Sequence, residues 1–195
     1  MRPYEKETRQ LVLDIAIRHF SQHGYAGANL ELIGKEAGLT RGPLYYYFKN
    51  KKELYLAAVQ EELERTVNSF HQIFEQEISI FDKIKQDLIF CSNNSGLIER
   101  VGKGGKDEPS IESLKEYSQE VYDLKYNSVI MGQNRGELRT DIDPKEITNM
   151  IYLCFHGLKQ LSNIELIDVS DEEDFTNKYI DVIVEMVKSR YGKSS

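Results

Sequence analysis

Arg41, Gly42, Tyr45, Tyr46 and Tyr47 fall within seven positions, and Lys49, Lys51 and Lys52 follow directly. A guanidinium can fork onto the O6 and N7 of guanine or clamp a phosphate. Tyrosine rings offer apolar faces to thymine methyls and hydroxyls to phosphate oxygens. Gly42 lets a backbone approach closely. The chemistry these types suit is recognition of a polyanion with readable edges, not bond making.

The residues around them specify the elements that would present that surface. Gly38-Leu39-Thr40 reads as a tight turn between two short helices, the arrangement whose second helix enters a major groove by its N-terminal residues. Leu39 is placed to plug the angle. Thr40 is the expected N-cap, its hydroxyl directed at the Gly42 N–H. Pro43 falls at the third helical position, where a missing N–H is harmless. Leu44 and Phe48, four apart, face inward. Arg41, Gly42, Tyr46 and Tyr47 are then outward, with Tyr45 on the border, where packing and recognition are both open. Lys51 opens the next helix, whose free amides favour an anion. The segments on either side are helical too. Helix 1 is expected over 5–23, with Leu11, Val12, Ile15, Ala16 and Phe20 as its stripe and Gly24 as its stop. Helix 2 is expected over 29–37, helix 3 over 41–48, and helix 4 from an Asn50-x-x-Glu53 capping box to 76.

Beyond residue 76 the pattern stays helical. Helices are expected over 80–92 and 110–134, with a short one at 97–101 inside a loop at 93–109. Asp143-Pro144-Lys145-Glu146 opens another helix and Ser170-x-x-Glu173 the last. The fold class is therefore all-α: an N-terminal three-helix head over 1–52 on a larger helical body over 53–195.

Charge supports that division. The net charge is −7. Residues 1–52 carry nine Lys/Arg against five Asp/Glu, net +4, and the remainder sixteen against twenty-seven, net −11. A basic head on an acidic body localises attraction for phosphate at one end. Apolar residues make up 40% and charged residues 29%, an ordinary globular balance that can bury a real core. No run of 18 apolar residues occurs, so no membrane span is expected. The N-terminus lacks the apolar stretch of a signal peptide, and Cys91 and Cys154 read as reduced core thiols, so the expected compartment is the cytoplasm.

Residues 9–56 resemble the DNA-binding head of the tetracycline-repressor (TetR) family. The resemblance runs through Ile15-Ala16, Phe20, Gly24-Tyr25, Ile33, Ala37-Gly38-Leu39-Thr40-Arg41-Gly42, Leu44-Tyr45, Phe48, Lys51 and Leu54. It implies an all-helical homodimer in which each head reads half of a near-palindromic double-stranded DNA operator. It also implies that the last two long helices of each subunit pair into a four-helix interface, and that a small effector in the body releases DNA. Carried over position by position, DNA contacts fall on Thr40, Arg41, Gly42, Tyr45, Tyr46, Tyr47 and Lys51. The family usually has Thr or Ser at the start of helix 2, where this chain has Ala28-Asn29. Asn29 can still cap and touch a phosphate. Glu31 stands where a basic residue is common.

Two C-terminal helices with broad apolar faces suggest more burial than one subunit provides. The expected interface spans about 144–162 and 172–189, through Ile147, Ile151, Phe155, Leu158, Tyr179, Ile180, Ile183, Val184 and Val187. The expected ligand chamber draws on Phe70, Phe74, Phe90, Tyr117, Tyr122, Tyr126, Met131, Tyr152 and His156. For any single one of these, ordinary core packing is the plainer role; together they favour an apolar or flat aromatic ligand. His19 and His23 are four apart but lack a third ligand, and Gly102-x-Gly104-Gly105-Lys106 lacks the spacing of a phosphate loop, so no metal or cofactor is expected. No nucleophile or acid/base pair marks an enzyme. A DNA-binding factor whose body binds a protein partner is the alternative to a ligand-responsive repressor.

Overall fold

A computed structural model of the chain describes residues 3–93, 96–103, 113–163 and 172–193. Among these residues the regular elements are all helices: α1 (Pro3–Gly27), α2 (Leu30–Glu36), α3 (Arg41–Tyr47), α4 (Lys51–Phe74), α5 (Ile80–Asn93), α6 (Leu97–Lys103), α7 (Ser113–Asn134), α8 (Pro144–Asn163) and α9 (Glu172–Tyr191). A single bridge joins Leu138 to Gly192. No described helix is long and apolar enough to cross a membrane. The expected caps at Ser170 and the glycine-rich stretch Gly104–Lys106 lie outside the described residues.

The chain divides into two compact units, residues 1–67 with 95–118 and residues 68–94 with 119–195. In the first, α1 runs as expected to Gly24, which has φ 67° and ψ 178°. That positive φ suits glycine alone among common residues. The helix does not stop there but takes one further turn to Gly27, closed by the Ala28 N–H on the Gly24 carbonyl at 3.2 Å. The break frees carbonyls just upstream, and Arg100 on α6 donates to two of them, Ser21 at 3.1 Å and Gln22 at 3.5 Å.

The stripe on α1 buries Val12, Leu13, Ile15, Ala16 and Phe20. Leu11, expected in that stripe, is 47% exposed, and Leu13 takes the inward position. Ile33, Leu44, Phe48, Leu54, Tyr55 and Ala58 complete the same core, joined by Leu97 and Val101 of α6. Phe20 meets Tyr55 edge-on at 5.0 Å, and Tyr25 does so at 5.1 Å. Each such fully buried side chain contributes roughly 1.5–3 kcal/mol before entropy is counted.

The second unit is built on Ile80, Ile84 and Leu88 of α5, Val129 of α7, Ile147 and Ile151 of α8, and Ile180, Ile183 and Val187 of α9. Gly132 allows the close approach there: a Cβ at that position would stand 3.0 Å from Ile80 Cβ and 3.1 Å from Leu138 Cδ1. The helix ends are closed by side chains. Glu137 accepts the Ile80 N–H at 2.6 Å, Lys83 donates to the Phe74 carbonyl at 2.6 Å, and Asp143 accepts the Lys145 N–H at 2.8 Å.

Candidate DNA-reading surface and ligand chamber

The turn between α2 and α3 is fixed by backbone bonds. The Gly38 N–H reaches the Lys35 carbonyl at 3.1 Å and the Leu39 N–H reaches the Gly34 carbonyl at 2.8 Å. This paired pattern needs a left-handed residue at Gly38, whose φ is 69°. At the other end of α2, Asn29 Oδ1 accepts the Glu31 N–H at 2.8 Å and the Leu32 N–H at 3.3 Å. Asn29 thus caps the helix as expected, and its amide nitrogen remains the donor a phosphate would require. Gly34 lets the two helices close: a Cβ there would come 2.9 Å from Leu44 Cδ2.

Locking Leu44 and Phe48 inward decides what α3 presents. Arg41 is 75% exposed and Tyr46 74%. No atom lies within 4 Å of where a Gly42 side chain would begin, so the room at Gly42 faces open space. Tyr45 is on the border, 38% exposed, with the Arg41 guanidinium 5.5 Å from its ring centroid. Two expectations need correction. Tyr47 is not outward: it is half-buried against the head core, with Tyr46 edge-on at 5.3 Å. The Thr40 hydroxyl makes no cap bond, so it stays at the surface as donor and acceptor. Glu31 lies 3.9 Å from Arg41 and shares its charge.

Lys51 opens α4 as expected, and its ammonium is already engaged. Its ammonium donates to the Ala26 carbonyl at 2.9 Å and lies 5.1 Å from the Tyr25 ring centroid. Burial pulls its pKa below the usual lysine range. It therefore ties the start of α4 to the end of α1, with two remaining ammonium protons to offer. The capping box at that start forms with a shift of one residue. Asn50 Oδ1 accepts the Glu53 N–H at 2.9 Å, while Glu53 accepts from Lys49 N–H at 2.9 Å.

Residues 12–58 match the family described as bacterial regulatory proteins, tetR family. The head is thus of the TetR type. The same head is 50% identical over 50 residues to the HTH-type transcriptional regulator AcrR of Shigella flexneri, covering 26% of this chain and 23% of that protein. That match speaks for the head alone. An HTH-type transcriptional regulator of Staphylococcus aureus (strain USA300) is 28% identical over 131 residues, 65% of this chain and 70% of that protein. The whole fold is shared with a TetR transcriptional regulator from Chloroflexus aurantiacus J-10-FL, with a TM-score of 0.73 at 21% identity over 99% of this chain and 100% of that one.

In the second unit seven of the nine expected chamber residues make ring contacts with one another, but only Phe74 and Tyr152 of them line the cavity there, and His156 is exposed. Phe70 stacks on Phe74 at 6.4 Å and meets Phe90 edge-on at 5.1 Å. Tyr126, Tyr122, Tyr152 and His156 follow one another as stacked rings at 6.3, 5.7 and 5.9 Å. The Tyr122 hydroxyl donates to Asn149 at 3.0 Å. Two expected liners are elsewhere: Tyr117 packs against the head core, and Met131 is 42% exposed. The cavity among these helices is about 10 Å³, space for roughly one water. Its lining includes Phe74, Ile84, Ile151 and Tyr152, together with Asp87, Lys125 and Thr148.

Asp87 and Lys125 were not singled out from sequence, and they are the strongest polar feature of the chamber. Their side chains are 3% and 13% exposed, and Lys125 Nζ stands 2.8 Å from Asp87 Oδ1. Burial alone would lower the Lys125 pKa; Asp87, then Cys91 and Tyr152, outweigh it and hold the ammonium well above the usual lysine range. The signal was present: each charge interrupts an apolar stripe, Ile84/Leu88 on α5 and Val121/Val129 on α7. A charge on such a stripe must find its opposite on a neighbouring one.

The expected dimer residues also need correction. Ile147, Ile151, Ile180, Ile183 and Val187 are at most 8% exposed in the single chain, and Val184 packs on the same cluster. They form this protomer's own core, packed with Ile80, Ile84 and Leu88 of α5. The side chains of Phe155 and Leu158 lie outside those described. Of the expected set Tyr179 remains at the surface, 40% exposed, and it continues into Val182 and Met186 on α9, with Met150 and Leu153 outward on α8.

Proposed function

We propose that the protein is a cytoplasmic, ligand-responsive transcriptional regulator, a repressor that binds a near-palindromic operator as a homodimer and is released by a small apolar or aromatic effector. The observation that carries this reading is the division of α3. One face is locked into the head core by Leu44 and Phe48, and the other offers Arg41, Gly42 and Tyr46 to a partner. Arg41 would read a base edge or clamp phosphate, and Gly42 would admit the sugar–phosphate backbone. Tyr45 and Tyr46 would meet methyls and phosphates, and Thr40, Asn29 and Lys51 would donate to phosphate oxygens.

The second copy would meet the outward face of α8 and α9. Leu153 is 69% exposed and Val182 55%, with Met150, Tyr179 and Met186 spaced three or four apart beside them. Such a stripe on two adjacent helices is costly in water and self-complementary about a twofold axis. It equally fits a different protein, which is the second reading of the body. Analytical ultracentrifugation at micromolar concentration separates the two: the proposal requires a dimer, and a monomer would favour the protein-partner reading. A panel of small molecules scored by thermal shift then tests the effector, since a ligand that binds only the folded state raises the melting temperature by mass action. Hits must release operator DNA.

A further inference from the structure

A chamber for an apolar molecule does not require a buried ion pair. Removing two charges from water is costly, and apolar side chains of the same volume usually serve as well or better. The surroundings of the Lys125 ammonium suggest what the pair is for. Asp87 stands at 2.8 Å, the Phe70 ring centroid at 5.0 Å and the Tyr152 ring centroid at 4.8 Å. The Cys91 thiol, 4.0 Å from the ammonium, donates to the same Asp87 oxygen at 3.5 Å. One carboxylate and two aromatic faces are the shell that recognises an organic cation.

The two partners differ in how readily they can leave. Asp87 hangs on a single methylene from the buried face of α5, whereas Lys125 arrives on four methylenes from α7. The adjoining space holds roughly one water, so any larger occupant must displace a side chain, and Lys125 is the displaceable one. Once its ammonium withdraws, Asp87 is a buried carboxylate without a counter-charge. A neutral ligand leaves that charge uncompensated. An anion bound to Lys125 sets a second negative charge in the same enclosure. A cation restores the balance, and the net −11 of residues 53–195 favours its approach.

We propose that Lys125 is a built-in occupant of a cation site, and that the effector is an organic cation with an apolar or aromatic body that displaces the Lys125 ammonium from Asp87, Phe70 and Tyr152. This rests on the reading of the body as a ligand chamber.

The test uses full-length protein and three matched probes at pH 7: 1-naphthylmethylammonium, 1-naphthalenemethanol and 1-naphthoate, titrated calorimetrically. The ammonium is expected to bind about tenfold or more tightly than either other probe. Asp87→Asn should abolish that preference, weakening the ammonium and strengthening the alcohol, which no longer strands a buried carboxylate. Lys125→Met should strengthen ammonium binding, because the internal competitor is gone. Should Lys125→Met fold poorly, Lys125→Gln keeps a donor to Asp87 and should show a smaller gain. Tighter binding of naphthoate or of the alcohol overturns the proposal and leaves the chamber standing. So does a preference that survives Asp87→Asn, or a loss of ammonium binding in both Lys125 variants. Failure of all three probes on every variant would overturn the chamber reading and the proposal together.

Discussion

Two ion pairs set the two units of this molecule against each other. Arg41 and Glu31 in the head are 75% and 73% exposed and stand 3.9 Å apart. Lys125 and Asp87 in the second unit are 13% and 3% exposed and stand 2.8 Å apart. Water already solvates the first pair, so separating it costs little and either partner is available to another molecule. The second pair has given up its water, so neither partner can be removed without leaving a buried charge. The same chemistry thus leaves the head pair open to a change of partner and holds the buried pair closed unless another charge compensates the one left behind.

The largest effect expected from this contrast is in the chamber. Asp87→Ala should destabilise the protein by about 3–5 kcal/mol in urea unfolding, and adding Lys125→Met should recover much of the loss. The sign with pH follows from the raised Lys125 pKa. Stabilisation by a raised lysine is fully present below its unfolded value, about 10.4, and is lost only as pH rises through the higher folded value. The Lys125 contribution to wild-type stability is therefore flat from pH 6 to pH 9, whereas in Asp87→Ala burial alone acts on Lys125 and lowers its pKa, so the penalty should be largest at pH 6 and shrink toward pH 9. A penalty below about 1 kcal/mol would make the buried pair no different from the exposed one.

Next in size is the head core. Leu44→Ala should cost about 2–5 kcal/mol of stability, because it empties the contact that α2 and α3 share at Gly34. Arg41→Ala should do the reverse: about 1–3 kcal/mol of operator binding lost by fluorescence anisotropy, with relaxed base preference and an unfolding midpoint close to wild type. Lys51→Ala should weaken all sequences alike and lower the slope of log affinity against log salt by about one. The smallest effect belongs to Glu31→Gln. Freeing Arg41 from a pair worth about 0.2–1 kcal/mol should tighten DNA binding by no more than that amount. A larger gain would mean Glu31 faces phosphate directly.

The head was legible in sequence because its determinants are local. Gly38 at a left-handed turn, Asn29 and Asn50 as caps, and Leu44 and Phe48 one helical turn apart each act within a few residues of themselves. The misplacements there also have local causes. Tyr47 differs from Tyr46 by one step of about 100° around the helix, enough to carry it from surface to half-buried. The Thr40 hydroxyl has solvent as an alternative partner.

The second unit was harder because both faces of its last helices are apolar. Ile147/Ile151 and Met150/Leu153 make equally plausible stripes on α8, and only contact with α5 and α9 selects the first pair for the core. Tyr117 and Tyr122 lie on one helix five residues apart, yet Tyr117 packs with the head core and Tyr122 in the chamber stack. Asp87 and Lys125 are 38 positions apart, a distance at which no periodicity links a carboxylate to its ammonium.

The central claim is that α3 of a TetR-family head reads an operator. The most direct measurement is selection from random duplex DNA by the full-length protein, run in parallel with Arg41→Ala. The account predicts that the wild type enriches one near-palindromic motif, and that the variant loses or blurs positions symmetric about its centre. Enrichment of no motif, or of the same motif at the same strength by Arg41→Ala, would contradict it.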